Sequence, residues 1–169
     1  MPGSASDPTA RTVVSDTGPL NYLVLIDHAH VLKPLFGSLL IPEAVRRELG
    51  HPGAPARVQT WIAASPGWLS VHPDSADTDA TLHRLGDGER QAIVLARARA
   101  ATLILMDDRA GVAAARAMGS VVIGTLGIID LAARRGLLDV AQAVARLRNT
   151  NFRCRPSLLF DLLARHRAS

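Results

Sequence analysis

The 169-residue chain has one cysteine, Cys154, one lysine, Lys33, and only three glutamates, Glu43, Glu48 and Glu89. A single thiol excludes an internal disulfide and any cysteine-rich zinc site, and nothing in its position asks for a reactive role. Long apolar runs are missing too. The stretches "TLILM" and "VVIGTLGII" fall far short of a membrane-spanning helix, and "MPGSASDPTA" at the start lacks the basic and apolar segments of a secretory signal. The expectation is a cytoplasmic protein with no membrane contact, a flexible tail over residues 1–10 and a single domain over 11–169. At 18.0 kDa with 48% hydrophobic residues, the chain suffices for one well-buried core and no second. There is no internal repeat.

The net charge of +4 is modest, but it is unevenly spread. From Leu131 onward eight arginines (134, 135, 146, 148, 153, 155, 165, 167) face two acids, Asp139 and Asp161, whereas positions 1 to 130 carry 11 basic and 13 acidic residues. A basic surface beside an acidic one suits a protein that holds phosphates near a metal site, although arginines on outer helix faces are often only solvated charge.

Apolar strand patterns alternate with helical ones along the chain. Strands are expected at "TVVSDT" (12–17), "SLLI" (38–41), "WLSVH" (68–72), "TLILMDD" (102–108) and "SVVIG" (120–124). Between them lie helical stretches: 20–36, broken near His28 and Pro34; 42–49, with proline at its first position; and 87–100, with Asp87 placed to cap it. Another follows the double aspartate and is closed by Gly119, and three more complete the chain. "PDSADTD" (73–79) reads as a loop or helix start, and Gly18-Pro19 as a turn after the first strand. This alternation predicts an α/β fold: a central parallel sheet of about four or five strands with helices on both faces. In such sheets ligands bind beyond the carboxyl ends of the strands.

That rule makes the placement of the acids informative. Asp16 ends the first strand, and Asp107-Asp108 end "TLILM". Glu48 shares a helical face with Val45 and Ala44, and Glu89 one with Ala92 and Ile93, where a solvent-seeking acid should not be. Each has an ordinary explanation alone: a helix N-terminus for Glu89, a pair with Arg47 or Arg84 for Glu48, a helix start for Asp107-Asp108, and the helix dipole for Glu43. Together, four or five carboxylates on one sheet edge without a lysine repel one another and raise their own pKa values. Clustered carboxylate oxygens suit hard Mg²⁺ or Mn²⁺.

The motifs "VVSDTGPL", "IPEAVRREL", "LGDGERQAIVLA", "LILMDDRAGVAAARAMG" and "VIGTLGIIDLAARRGLL", in this order and spacing from about Thr12 to about Leu163, resemble the PIN-domain nucleases, in particular the branch related to VapC-type toxins of toxin–antitoxin pairs. The resemblance implies a PIN-like fold and hydrolysis of RNA phosphodiesters with one or two Mg²⁺ or Mn²⁺ ions. The metal lowers the pKa of a bound water and stabilises the departing oxygen. Carried over residue by residue, the catalytic acids are Asp16, Glu48, Glu89 and Asp108, with Asp107 an additional ligand. Thr17 matches a hydroxyl position near the metal. Arg134, Arg135, Arg153 and Arg155 are the expected phosphate contacts. RNA is the implied substrate, a cognate antitoxin the implied partner of a toxin, and a homodimer is expected from the apolar segments around Tyr22, Leu23, Leu25 and Ile26 and "SLLFDLLA". The six histidines (28, 30, 51, 72, 83, 166) have no catalytic or zinc spacing.

Two other classes fail on particular residues. A phosphorylation-receiver domain needs a lysine after a late strand, and a haloacid-dehalogenase-like phosphatase needs an aspartate at position 18, which is glycine. The rival within the same fold is an inactive PIN-fold module that binds RNA or protein. "GTLG" (124–127) lacks a full phosphate-loop pattern, reads as a strand-to-helix turn, and is given no catalytic part.

Overall fold

Five short apolar segments, β1 (Val13–Ser15), β2 (Leu39–Pro42), β3 (Leu69–His72), β4 (Leu103–Leu105) and β5 (Val122–Ile123), pair in the order β3-β2-β1-β4-β5 with every neighbouring pair parallel. The computed structural model describes residues 11–76 and 79–167. The expected tail over 1–10 and two residues of "PDSADTD" lie outside the described residues. The α/β fold with a central parallel sheet is as expected, and four of the strands fall inside the stretches read from the sequence, while β2 runs one residue past 38–41 to include Pro42.

Parallel strands need helical crossovers, and these bury both faces of the sheet. Alternate residues of the two central strands therefore serve different layers. Val13, Leu103 and Leu105 face the larger core, with Leu20 and Leu23 of α1 (Thr17–Leu25), Ile128 and Ile129 of α7 (Thr125–Arg134), and Val144 and Leu147 of α8 (Val140–Arg148). Val14, Ile104 and Met106 face the smaller one, with Ala92, Ile93 and Ala96 of α5 (Asp87–Ala98) and Ala115 of α6 (Arg109–Ala117). The remaining helices are α2 (Leu32–Phe36), α3 (Glu43–Leu49), α4 (Ala56–Ala63) and α9 (Pro156–His166). Among the described residues no helix is long and apolar enough to cross a membrane.

Several local expectations are corrected. Gly18-Pro19 do not make a turn; they lie in the first turn of α1, where the missing proline N–H has no helical partner to lose. Pro34 does not break a helix either, because it sits in the opening turn of α2. The break falls at Asp27, whose φ of +62° ends the run. Pro42 closes β2 and occupies the N-cap of α3 instead of its first helical position. Asp87 is the first residue of α5, after Gly86 at the N-cap, and pairs with Arg90. Of the apolar surface expected to drive dimerisation, Leu23 and Ile26 are fully buried and Tyr22 and Leu25 pack partly against the core. On α9 Leu162 is buried, leaving Leu158 and Phe160 exposed.

Asp108 holds the N-cap of α6, its Oδ2 accepting the Gly111 N–H at 2.9 Å. Replacing an N-cap aspartate by alanine costs about 1 kcal/mol, whereas asparagine caps equally well. Asp108→Ala is therefore expected to lower the melting temperature by roughly 2–4 °C for a domain of this size, with Asp108→Asn close to the parent. Equal losses in thermal unfolding of the two variants would show that the charge matters and the cap does not.

Candidate active site

The chain builds outward from β1 to β2 to β3, then returns to lay β4 on the other side of β1. Crossovers diverge at that reversal, which opens a crevice beyond the carboxyl ends of β1 and β4. Register places Ser15 beside Leu105, and the Asp16 N–H extends the ladder by donating to Leu105 O at 2.8 Å. Asp16 and Asp107 thus leave neighbouring strands at the mouth of the crevice.

Asp16 is only 4% exposed, and among the described residues its Oδ1 has no hydrogen-bond partner. Burial is the main force on its carboxyl, whose pKa is pushed up to about 8; a backbone hydrogen bond at Thr17 opposes the rise, while Glu89, Glu48 and Asp107 add to it. Glu48 is exposed on α3, not turned to the apolar face as expected, yet its carboxylate leans across to the crevice. Its Oε1 accepts the Gly88 N–H at 3.0 Å and its Oε2 accepts the Thr17 hydroxyl. Thr17 thus orients an acid. Glu89, half-buried, has its pKa raised by burial and then by Asp108 and Glu48, against backbone hydrogen bonds at Glu89 and Gly86.

The double aspartate divides its labour. Asp107 turns inward: its Oδ1 accepts the Thr125 N–H at 2.7 Å and its Oδ2 the Thr125 hydroxyl at 2.6 Å, while burial raises its pKa against those bonds. Asp108 caps α6, and its charge is felt at Glu89. The geometry therefore sets Asp107, more than the favoured Asp108, beside Asp16. Thr125, which holds Asp107 through both bonds, is not singled out by the sequence reading, although a hydroxyl on the first residue of a helix at this sheet edge is a usable signal. Two glycines make the packing feasible. A Cβ on Gly88 would collide with the Glu48 carboxylate, and one on Gly124 would stand 2.7 Å from Asp107 Oδ1.

A family model described as a PIN domain matches residues 12–168. The chain belongs to the PIN-domain family. No curated protein matches it. PIN domains are generally nucleases, so this PIN domain has a nuclease-type fold whose crevice carries the acids described above.

The acids match a divalent metal in chemistry but not in arrangement. The donor set is all oxygen, as hard divalent ions prefer, and the unpartnered buried Oδ1 of Asp16 is the kind of atom a cation would satisfy. Among the described residues, however, no group of three or more His, Cys, Asp or Glu side chains is arranged to hold an ion. Glu48 is turned to Thr17 and Gly88, Asp107 to Thr125, and Asp108 to Gly111. The expected ligand set of Asp16, Glu48, Glu89, Asp107 and Asp108 is thus gathered on one edge but not assembled around one point.

The arginines expected to bind phosphate separate into two pairs. Arg153 and Arg155 line a hollow of about 720 Å³ that also includes Asp107 and Arg109, and the Tyr22 hydroxyl senses both Asp107 and Arg153. Arg134 and Arg135 lie at the far end of α7 from Thr125, about 14 Å along its axis, and Arg134 is spent on Asp130 at 3.1 Å. They do not join the crevice. The histidines are elsewhere as well: His28 and His30 pack together, His72 meets Arg99, and His166 meets Asp130.

Because the folded pKa of Asp16, about 8, lies above its unfolded value of 3.8, its effect on stability has a definite sign. The contribution is fully present below pH 3.8 and is lost as pH rises through 8, where the folded protein must carry the buried charge. With divalent metal chelated, Asp16→Asn is expected to raise the melting temperature at neutral and alkaline pH and to flatten its decline between pH 4 and 8. Each ~1 kcal/mol relieved corresponds to about 2–4 °C. Parallel pH profiles for parent and variant would contradict this account of the crevice.

Proposed function

We propose that this PIN domain is a metal-dependent ribonuclease that hydrolyses RNA phosphodiester bonds at the crevice between β1 and β4. The observation that carries the reading is the buried carboxylate of Asp16, whose Oδ1 has no hydrogen-bond partner among the described residues, with Asp107, Glu48 and Glu89 close enough to raise its pKa. A group so placed destabilises the fold, and the same placement serves to capture a cation. Asp16 and Asp107, with Glu89 and Glu48 beside them, are the residues that would hold Mg²⁺ or Mn²⁺. When bound, the ion lowers the pKa of a water and stabilises charge on the leaving oxygen. The chain's own contribution is positioning: Thr125 fixes Asp107 through two bonds, Thr17 and Gly88 hold Glu48, and Arg153 and Arg155 bring phosphate against an edge that would otherwise repel it.

A second reading, an inactive PIN-fold module that binds RNA or protein, draws on the absence of an assembled ligand group among the described residues. Cleavage decides between them. The parent is expected to cut total RNA with Mg²⁺ or Mn²⁺, and Asp16→Asn to lose at least about a hundredfold in rate, a few kcal/mol of transition-state stabilisation. Thr125→Val should fall between, since it frees Asp107 without removing it. An inert parent across a metal titration would leave the binding module. The toxin reading adds a cognate antitoxin and predicts growth arrest on expression, relieved by Asp16→Asn. Homodimerisation now rests on the exposed Phe160 of α9, and light scattering at 18.0 kDa would remove it.

A further inference from the structure

Beside Asp107 lies a hollow whose composition exceeds what phosphate contacts require. Its rim carries Arg109, Arg153 and Arg155, none with an ion-pair partner among the described residues, while Leu126, Phe152, Cys154 and Leu158 make an apolar floor. Phe152 is held edge-on against Tyr22, ring centroids 4.9 Å apart, and Leu158 is 45% exposed. A neutral or basic ligand has no use for three free guanidinium groups. A ligand that is only backbone phosphate has no use for the floor. A nucleotide uses both, with its phosphates on arginine and its base against apolar side chains.

We propose that the hollow holds one unpaired base of the RNA strand, next to the phosphate that meets the Asp16–Asp107 edge, with Arg153 and Arg155 on the flanking phosphates. The identity of the polymer rests on the ribonuclease reading; the subsite rests on the hollow. A base inside a helix must be unstacked to enter, so duplex RNA is disfavoured. The floor makes Leu126, Phe152 and Leu158 the determinants of nucleotide preference at that position.

Cys154, the chain's only thiol, is partly exposed in the hollow and reports on its occupancy. The test uses the full chain carrying Asp16→Asn, a short single-stranded RNA oligonucleotide, the same sequence annealed to its complement, and alkylation of Cys154 by iodoacetamide. Saturating single strand is expected to slow alkylation about tenfold and duplex hardly at all. Replacing nucleotides one at a time by abasic ones should weaken binding about tenfold at a single position, abolish protection there, and do less in Leu158→Ala. Equal protection by duplex, or abasic losses spread evenly along the strand, would overturn the base subsite. Protection by an acidic peptide and not by RNA would overturn it in favour of a protein-docking face. The two readings fail separately: cleavage by the parent without Cys154 protection sinks the subsite alone, and protection without cleavage sinks the ribonuclease alone.

Discussion

The energetics of the whole sheet edge turn on one carboxylate that is almost wholly withdrawn from water. Asp16 leaves the central strand of a parallel sheet with apolar layers on both sides, 4% exposed, and with other acids close by. An isolated charge in such a place costs several kcal/mol. Lysine offers no relief, because Lys33 is the only one in the chain and belongs to α2.

Backbone dipoles supply the compensation instead. Four helices, α1, α5, α6 and α7, begin at this edge, and the positive ends of helices favour nearby anions. Thr125 at the start of α7 donates to Asp107, Gly88 at the start of α5 donates to Glu48, and Gly111 in α6 donates to Asp108. Asp16 occupies the N-cap of α1 yet makes no side-chain cap bond there. It is the least compensated member, and its pKa carries the strain. Each outer acid has an amide of its own, whereas the help Asp16 receives from the Thr17 backbone does not offset its burial.

Much of this was legible in the chain because it depends on local pattern. The strand–helix alternation, with apolar runs such as Leu103–Leu105 too short for helices, sufficed for the sheet, and the strand-end rule sufficed to bring Asp16, Asp107 and Asp108 to one edge. What was not legible depends on contacts between distant segments. Nothing near Asp107 shows that its partner is Thr125, 18 residues on, and nothing near Glu48 shows that Gly88 lacks a side chain to make room for its carboxylate. Helical spacing placed Glu48 on an apolar face, but in the last turn of α3 only Leu49 is buried while Arg46, Arg47 and Glu48 are exposed, so tertiary position overrode periodicity. The pairing of Arg134 with Asp130 is different: it is a local i,i+4 pair on α7 that the helical spacing already offered and the charge count passed over.

The turn after β5 ties the acidic and basic halves together. Gly124 admits Asp107 and Thr125 fixes it, while Leu126 and Gly127 continue into the wall of the arginine-rimmed hollow. The segment read from the sequence as a plain strand-to-helix connection is therefore where the acids and the hollow meet. Ile128, Ile129 and Ala132 of α7 are fully buried, so core packing fixes the Asp107 side of the hollow, whereas Phe152, Arg153, Cys154 and Arg155 come from the connection between α8 and α9. The acidic side of this junction is thus held by a packed helix start through the two Thr125 bonds to Asp107, and the basic side takes its place from the packing of α8 against α9, which anchors the connection between them.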